Sequence, residues 1–383
     1  MKYRKLGRTG ISVSELGIGC EGFISKTPEE CRQMLNYAIE NGVNFFDMYT
    51  SAPDARENIG AALIELPREK FIVQGHLCSF WRDGQYDRSR KLDEVKSGFE
   101  DLLRLMKLDY VDVGMIHFVD EITDYHNAIE GEIMDYVRSL KTSGIVRHIG
   151  LSTHNPDIVA LAAETGEIDV ILLSVNPAYD MLPPSEEINP LFEAETFKRV
   201  YCGIDPKREA IYKRCEALGV ALTVMKPFAG GLLFDEKQSP FGRAMTAAQC
   251  IAYCLDRPAV ASVLAGMASV EQISDCMKYF SATPEELDYG EILAGATTSS
   301  FDGHCMYCGH CAPCSSKIEI AKVNKYSDLV LAQGFVPETL QNHYDLLEFH
   351  ASDCIECGKC EARCPFAVKI INKMKQTAQL FGK

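Results

Sequence analysis

Tyr-Val-Asp-Val-Gly-Met-Ile-His-Phe at residues 110–118 is a short, mainly apolar run, β-branched at Val111, Val113 and Ile116. Such a run reads as a strand buried on both faces. A helical pattern at 92–106 precedes it, and another at 127–143 leads to the next apolar run at 146–152. The alternation extends both ways along the chain. Strand-like runs stand at 13–20, 42–49, 71–76, 110–118, 146–152, 168–175, 220–228 and 260–267. Helix-like stretches follow them at 28–41, 54–65, 92–106, 127–143, 155–165, 207–218, 246–256 and 269–280. Eight such units within residues 1–285 predict a (β/α)8 TIM barrel, an α/β fold. An open doubly wound sheet is the rival, but no Gly-x-Gly-x-x-Gly follows the first strand. Residues 3–19 read as a hairpin turning at Arg8-Thr9-Gly10 and running into that strand.

Chemistry in such barrels sits on the loops after the strands. Three of these are long, at 77–91, 176–206 and 229–245, and read as lids or docking surfaces. No internal repeat stands out. Periodicity fades after Ser281, and Thr297-Thr298-Ser299-Ser300 with Gly303 suggest a linker over 286–303.

The last segment, 304–383, has its own signature. Cys354, Cys357, Cys360 and Cys364, followed by Pro365, follow the C-x2-C-x2-C-x3-C-P pattern of a [4Fe–4S] site. Cys305, Cys308, Cys311 and Cys314 form a second run, with Ser315 where proline is expected and a shorter last step. Zinc is the rival reading, but its ligands usually come as CxxC-type pairs well separated in sequence. Two [4Fe–4S] clusters are expected. Exchange of the fourth ligand would place Cys364 with Cys305, Cys308 and Cys311, and Cys314 with Cys354, Cys357 and Cys360. Between the runs, Val323, Tyr326 and Val330, then Leu340, Tyr344 and Leu347, predict two amphipathic helices broken near Gly334 and Pro337. The segment reads as a small α-helical, ferredoxin-like domain.

A net charge of −15 makes nucleic acid and anionic membranes poor partners. No apolar run reaches the roughly eighteen residues of a membrane span. Nothing at the N-terminus has a signal-peptide core, so the cytoplasm is the expected location and metal the expected use of the cysteines.

Several stretches resemble the aldo/keto reductase family, in its bacterial branch with a C-terminal 4Fe–4S ferredoxin-type domain. They are Tyr3-Arg4-Lys5-Leu6-Gly7-Arg8-Thr9-Gly10, Gly42 to Asp47 with Asn58-Ile59-Gly60, and Leu108-Asp109-Tyr110-Val111-Asp112 through His117. Arg147 to Ser152, Met225 to Gly231 and Leu264 to Met267 complete the set. The resemblance implies reduction of a carbonyl by an Asp, Tyr, Lys and His tetrad facing a nicotinamide. Free tyrosine titrates near pH ~10, so it needs a cation beside it. Asp47 matches the aspartate and His117 the histidine. Tyr49 follows Asp47 by two residues instead of the family's five or so, and His76 stands where lysine is expected.

Imidazole is only partly charged at neutrality, so the two histidines become candidate proton donors. The plainer readings are that Asp47 and His117 knit the barrel top, that Tyr49 packs, and that Lys226 is solvated. The resemblance places the nicotinamide amide at Ser152, His154 and Asn155, and a phosphate at the turn holding Gly266, Ser269 and Gln272. Lys226 is a candidate to neutralise that phosphate or to supply the missing cation. NADH, NADPH and a flavin stand as alternative carriers. The expected function is oxidation or reduction of a small organic substrate, with electrons passing through the clusters and a ferredoxin or flavoprotein as redox partner. The rival is a degraded barrel that serves as an electron-transfer adaptor or binding protein.

Overall fold

A computed structural model describes residues 1–198, 201–295 and 299–383. Thr297 and Thr298 of the expected linker lie outside the described residues. Eight parallel strands close into a barrel: β1 Leu16–Gly19, β2 Phe45–Met48, β3 Ile72–Leu77, β4 Val111–Ile116, β5 Val146–Thr153, β6 Val170–Ser174, β7 Ala221–Met225 and β8 Val260–Gly266. Each falls inside or within a residue of its predicted run. The rival open sheet is excluded, because β8 pairs with β1 (Val263 opposite Leu16) and closes the ring.

Strand side chains alternate between two cores, as the pleat requires. Phe45, Ile72, Val113, Met115, Val170, Leu172, Ala221 and Leu264 fill the barrel interior. Leu6 and Val13, from the antiparallel N-terminal hairpin of Tyr3–Lys5 and Ser12–Ser14, join that core. Outward residues such as Ile116, Leu151 and Leu173 pack beneath the helices. Above the interior apolar residues the inward positions turn polar, with Asp47, Gln74, His76 and Thr223 all buried.

The helices are α1 Pro28–Glu40, α2 Pro53–Leu63, α3 Leu92–Met106, α4 Ile122–Ile129, α5 Glu132–Thr142, α6 Pro156–Glu164, α7 Pro206–Leu218, α8 Ala247–Asp256 and α9 Val270–Met277. Their starts carry their own signals: Thr27 with Glu30 and Thr246 with Gln249 form capping boxes. The single helix expected over 127–143 is two, because Gly131 is extended (φ −109°, ψ −168°) between α4 and α5. Glycine favours helix interiors least among ordinary residues.

The expected loop 77–91 is a β-hairpin, Ser79–Arg82 paired with Gln85–Arg88. Asp83 and Gly84 turn it with positive φ (51° and 79°), the geometry of a two-residue hairpin turn. Gly98 on α3 lets it lie close, since a Cβ there would stand 2.8 Å from the Ser79 carbonyl oxygen.

The stretch expected as a linker carries α10 Pro284–Leu287 and α11 Gly290–Ala294, and Ser299–Ser300 pairs with Tyr201–Cys202. Beyond it lie α12 Ile320–Gln333, α13 Glu338–Asp345, α14 Lys359–Arg363 and α15 Ile370–Phe381. Gly334 ends α12 in the left-handed conformation (φ 77°) and Pro337 precedes α13, as predicted. Fully buried Arg257 ties this domain to the barrel through the Met306 carbonyl, which also accepts from Tyr289 at 2.8 Å. Among the described residues no helix is long and apolar enough to cross a membrane.

Candidate active site and cluster domain

A cavity of about 1270 Å3 opens at the C-terminal ends of the strands, lined by Asp47, Tyr49, His76, Tyr86 and His117 among others. Strand alternation puts Asp47, at the end of β2, beside β3, where Gln74 and His76 both point inward. Gln74 Nε2 donates to Asp47 Oδ1 at 2.8 Å, and His76 Nε2 lies 2.9 Å from the same oxygen. His76 Nδ1 is 2.8 Å from Nδ1 of His117, just beyond β4. Ser152 Oγ accepts the Phe118 N–H at 2.7 Å and lies 3.3 Å from His117 Nδ1. Burial first, then the neighbouring His76, pushes the His117 imidazole well below its ordinary value, so it is neutral.

Tyr49 reaches the cavity, but its ring stacks on His117 with centroids 5.9 Å apart. Burial, then Glu21 at its hydroxyl, pushes this phenol well above the usual tyrosine range. Carboxylate, not ammonium, is its neighbour. Lys226 also lines the cavity, with φ +57° and Nζ 4.0 Å from Glu21 Oε2.

The residues expected around a nicotinamide divide. Ser152 and His154 face the cavity, while Asn155 caps α6 through the Asp157 N–H at 3.0 Å and donates to the Asp120 carbonyl at 2.9 Å. His154 Nδ1 is itself held by Asp120 Oδ2 at 3.0 Å. Gly266 and Gln272 line the cavity, and Ser269 caps α9 by accepting the Gln272 N–H at 3.3 Å. Gln272 Oε1 in turn accepts the Ala268 N–H at 2.7 Å.

Two residues escaped the sequence reading. Tyr86, on the hairpin after β3, brings its hydroxyl 2.7 Å from His117 Nε2. Asp83-Gly84 between Phe80-Trp81 and Gln85-Tyr86 was the available signal, a hairpin turn flanked by aromatic residues. Gln74 sits two residues before His76, so it shares the inward face.

The two cysteine runs adopt one backbone shape. Tyr307 and Glu356 (φ 59° and 54°), then Gly309 and Gly358 (79° and 72°), occupy equivalent left-handed positions. Lys317 N–H donates to the Cys314 carbonyl at 3.0 Å, as Ala367 N–H does to that of Cys364 at 3.3 Å. Helices α12 and α15 then begin at matching distances. An internal repeat is therefore present, and Ser315 turns the chain as Pro365 does. One small cavity is lined by Cys305, Cys308, Cys311 and Cys364, another by Cys314, Cys354, Cys357 and Cys360.

Backbone N–H groups of Tyr307, His310 and Lys359 face Cys305, Cys308 and Cys357, and Asn324 Nδ2 lies 3.3 Å from Cys305 Sγ. Four sulfurs around a cavity, with donors aimed at them, fit a cubane. Among the described residues, no group of three His, Cys, Asp or Glu is placed to hold a single metal ion. Arg363 clamps the runs together, donating to the carbonyls of Cys311 (2.7 Å) and Pro313 (2.6 Å).

A closed parallel barrel with a polar, cavity-lined mouth and an appended cysteine domain defines a class of redox protein. Residues 15–248 match the aldo/keto reductase family profile and residues 304–369 that of the 4Fe-4S dicluster domain. The chain belongs to the aldo/keto reductase family, is an oxidoreductase, and carries a C-terminal 4Fe-4S dicluster domain. It is 26% identical to the uncharacterized oxidoreductase YqkF of Bacillus subtilis, over 75% of this chain and 94% of that protein. It is 28% identical to L-galactose dehydrogenase of Arabidopsis thaliana, over 45% of this chain and 56% of that one. In fold it is similar to aldo-keto reductase AKR11C1 from Bacillus halodurans in its holo form. That likeness has a TM-score of 0.59 and 21% identity, over 78% of this chain and 97% of the other.

Proposed function

We propose that the barrel mouth reduces or oxidises a small organic carbonyl or alcohol with a nicotinamide, and that two [4Fe–4S] clusters connect this site to a redox partner, a ferredoxin or a flavoprotein. The continuous contact Asp47–His76–His117 at the cavity carries the reading, because it lines the mouth with groups able to pass protons. Ser152, His154, Lys226, Gly266 and Gln272 would hold the nicotinamide cofactor, whose chemistry is hydride transfer. Ser269 shapes the turn, and Asn155 shapes the α6 start. Glu271 and Asp275 line the cavity beside Lys226 and Lys278, and their carboxylates favour NADH over NADPH with its extra phosphate. A flavin is the alternative carrier.

The cluster sets we assign are Cys305, Cys308, Cys311, Cys364 and Cys314, Cys354, Cys357, Cys360. A series of neighbours leads from the first set toward the cavity. A Cβ on Gly290 would stand 3.1 Å from Cys308 Sγ and 3.0 Å from Asp288 Oδ1. The Asp288 carbonyl accepts Gln249 Nε2 at 2.7 Å, and Ala247, two residues earlier on α8, lines the cavity. The boundary between barrel and cluster domain falls within 286–303.

The test is turnover of an aldehyde and ketone panel with NADH or NADPH under anaerobic conditions, by protein assayed for iron and sulfide. Turnover with about eight of each supports the reading. Iron and sulfide without turnover on any substrate would favour the adaptor instead.

A further inference from the structure

We propose that Tyr86, on the hairpin after β3, delivers the proton to the reacting oxygen, and that Asp47, His76 and His117 form the chain supplying it. The inference rests on the carbonyl-reducing reading of the mouth. It assigns the donor to a residue that the family resemblance does not indicate and replaces a permanent cation with a proton relay.

His117, neutral, has one N–H, so the observed contacts allow two ordered arrangements about it. In the first, Tyr86 O–H donates to His117 Nε2, His117 Nδ1–H to His76 Nδ1, and His76 Nε2–H to Asp47. One further proton on the hydrogen-bonded Asp47–His76 pair reverses the chain: His76 Nδ1–H then donates to His117 Nδ1, and His117 Nε2–H to the Tyr86 oxygen. The phenolic hydrogen is left free to point into the cavity.

When hydride reaches the carbonyl carbon, the carbonyl π bond breaks and its electron pair takes the Tyr86 proton, giving the alcohol. Tyr86 recovers a proton from His117, and His117 from His76. The Asp47–His76 pair ends with one proton fewer, and the first arrangement is restored. No phenolate persists at any stage. A lysine is therefore dispensable, because its usual task is to lower the cost of phenolate.

Tyr49 lacks these connections. Its ring lies over the face of His117 and its hydroxyl meets Glu21, so it stands outside the Asp47–His76–His117 chain. Tyr86 is 41% exposed, at the rim where substrate enters. Its place is held by the backbone: Ser51 Oγ donates to the Phe80 carbonyl at 2.7 Å, and Ser79 Oγ to the Tyr49 carbonyl at 3.2 Å.

The test uses the full chain, prepared anaerobically, as wild type, Tyr86→Phe and Tyr49→Phe. Tyr86→Phe should lower kcat about 100-fold or more with little change in KM, and Tyr49→Phe should lower it less. Wild type should show a curved solvent-deuterium proton inventory, from several protons in flight, which Tyr86→Phe loses. Independently of turnover, NMR of the imidazole nitrogens should show His117 Nε2 shift in Tyr86→Phe and not in Tyr49→Phe. If Tyr86→Phe keeps wild-type kcat, the proposal alone fails. An unshifted His117 Nε2 in Tyr86→Phe also defeats it, since the hydrogen bond would not exist. If wild type reduces no carbonyl with either nicotinamide, the reading beneath the proposal fails and takes it along.

Discussion

The cysteine domain and the barrel mouth both gather reactive side chains, but by different means. In the cysteine domain, two local segments of similar sequence fold alike, and three of each four sulfurs come from one run of seven residues. At the mouth, Asp47, His76, Tyr86, His117 and Ser152 come from β2, β3, a hairpin, the end of β4 and β5. The first arrangement is written in spacing and should fail in discrete pieces. The second exists only when the barrel closes, so it should fail by degrees as relay contacts are cut.

The largest effect expected is on the clusters. Cys364→Ala should remove about four of eight irons, with the loss confined to the set built by Cys305, Cys308 and Cys311. Cys314→Ala should do the same to the other set. Electron paramagnetic resonance of each variant beside wild type would show which signal disappears. Loss of the signal from each cysteine's own run instead would break the assignment.

At the mouth, His76→Ala should lower kcat about 100-fold, because it severs Asp47 from His117. His76→Lys should not restore the rate, although it rebuilds the family's tetrad in composition. A lysine cannot pass a proton between Asp47 and His117 as a two-nitrogen ring does. Recovery with lysine would show that Tyr49, and not Tyr86, is the working phenol.

The contact between the regions comes next. Arg257→Met should destabilise the cluster domain by about 3 kcal/mol, since it strips a buried guanidinium from the Met306 carbonyl, Tyr289 and Tyr253. Thermal unfolding should split into two transitions, with the barrel the later. A single unshifted transition would mean that the regions are not held together there.

The smallest effect concerns Lys325 on α12. Burial, then Arg4, pushes its ammonium down from 10.5 to about 8. Between those values the unfolded chain holds a proton that the folded one lacks, so stability rises with pH across the window. Below pH 8 the full penalty remains. Lys325→Met should therefore melt higher than wild type at neutral pH, and the gap should close by pH ~10. A gap independent of pH would show that the methionine acts by packing alone.

Much of this was legible beforehand. The eight strands fall inside or within a residue of their predicted runs because buried parallel strands need nearly continuous apolar sequence, which is easy to see. The cysteine runs announce their chemistry through spacing. Their internal repeat went unseen because Ser315 replaces Pro365 and the last steps differ by one residue, while the backbone turns agree. Gly131 was too slight a signal to split one long helical pattern into two.

By itself, the sequence determined the barrel, the two cysteine runs, and the placing of Asp47, His76 and His117 at strand ends, because those are matters of period and spacing along one chain. Only the tertiary structure decided that His76 would touch His117, and that Tyr86 and not Tyr49 would meet its free nitrogen. It also decided which fourth cysteine joins which cavity. Each of these depends on the register between neighbouring strands or the approach of distant segments. The two histidine contacts join residues 31 and 41 positions apart, and no local pattern encodes the distance that closes them.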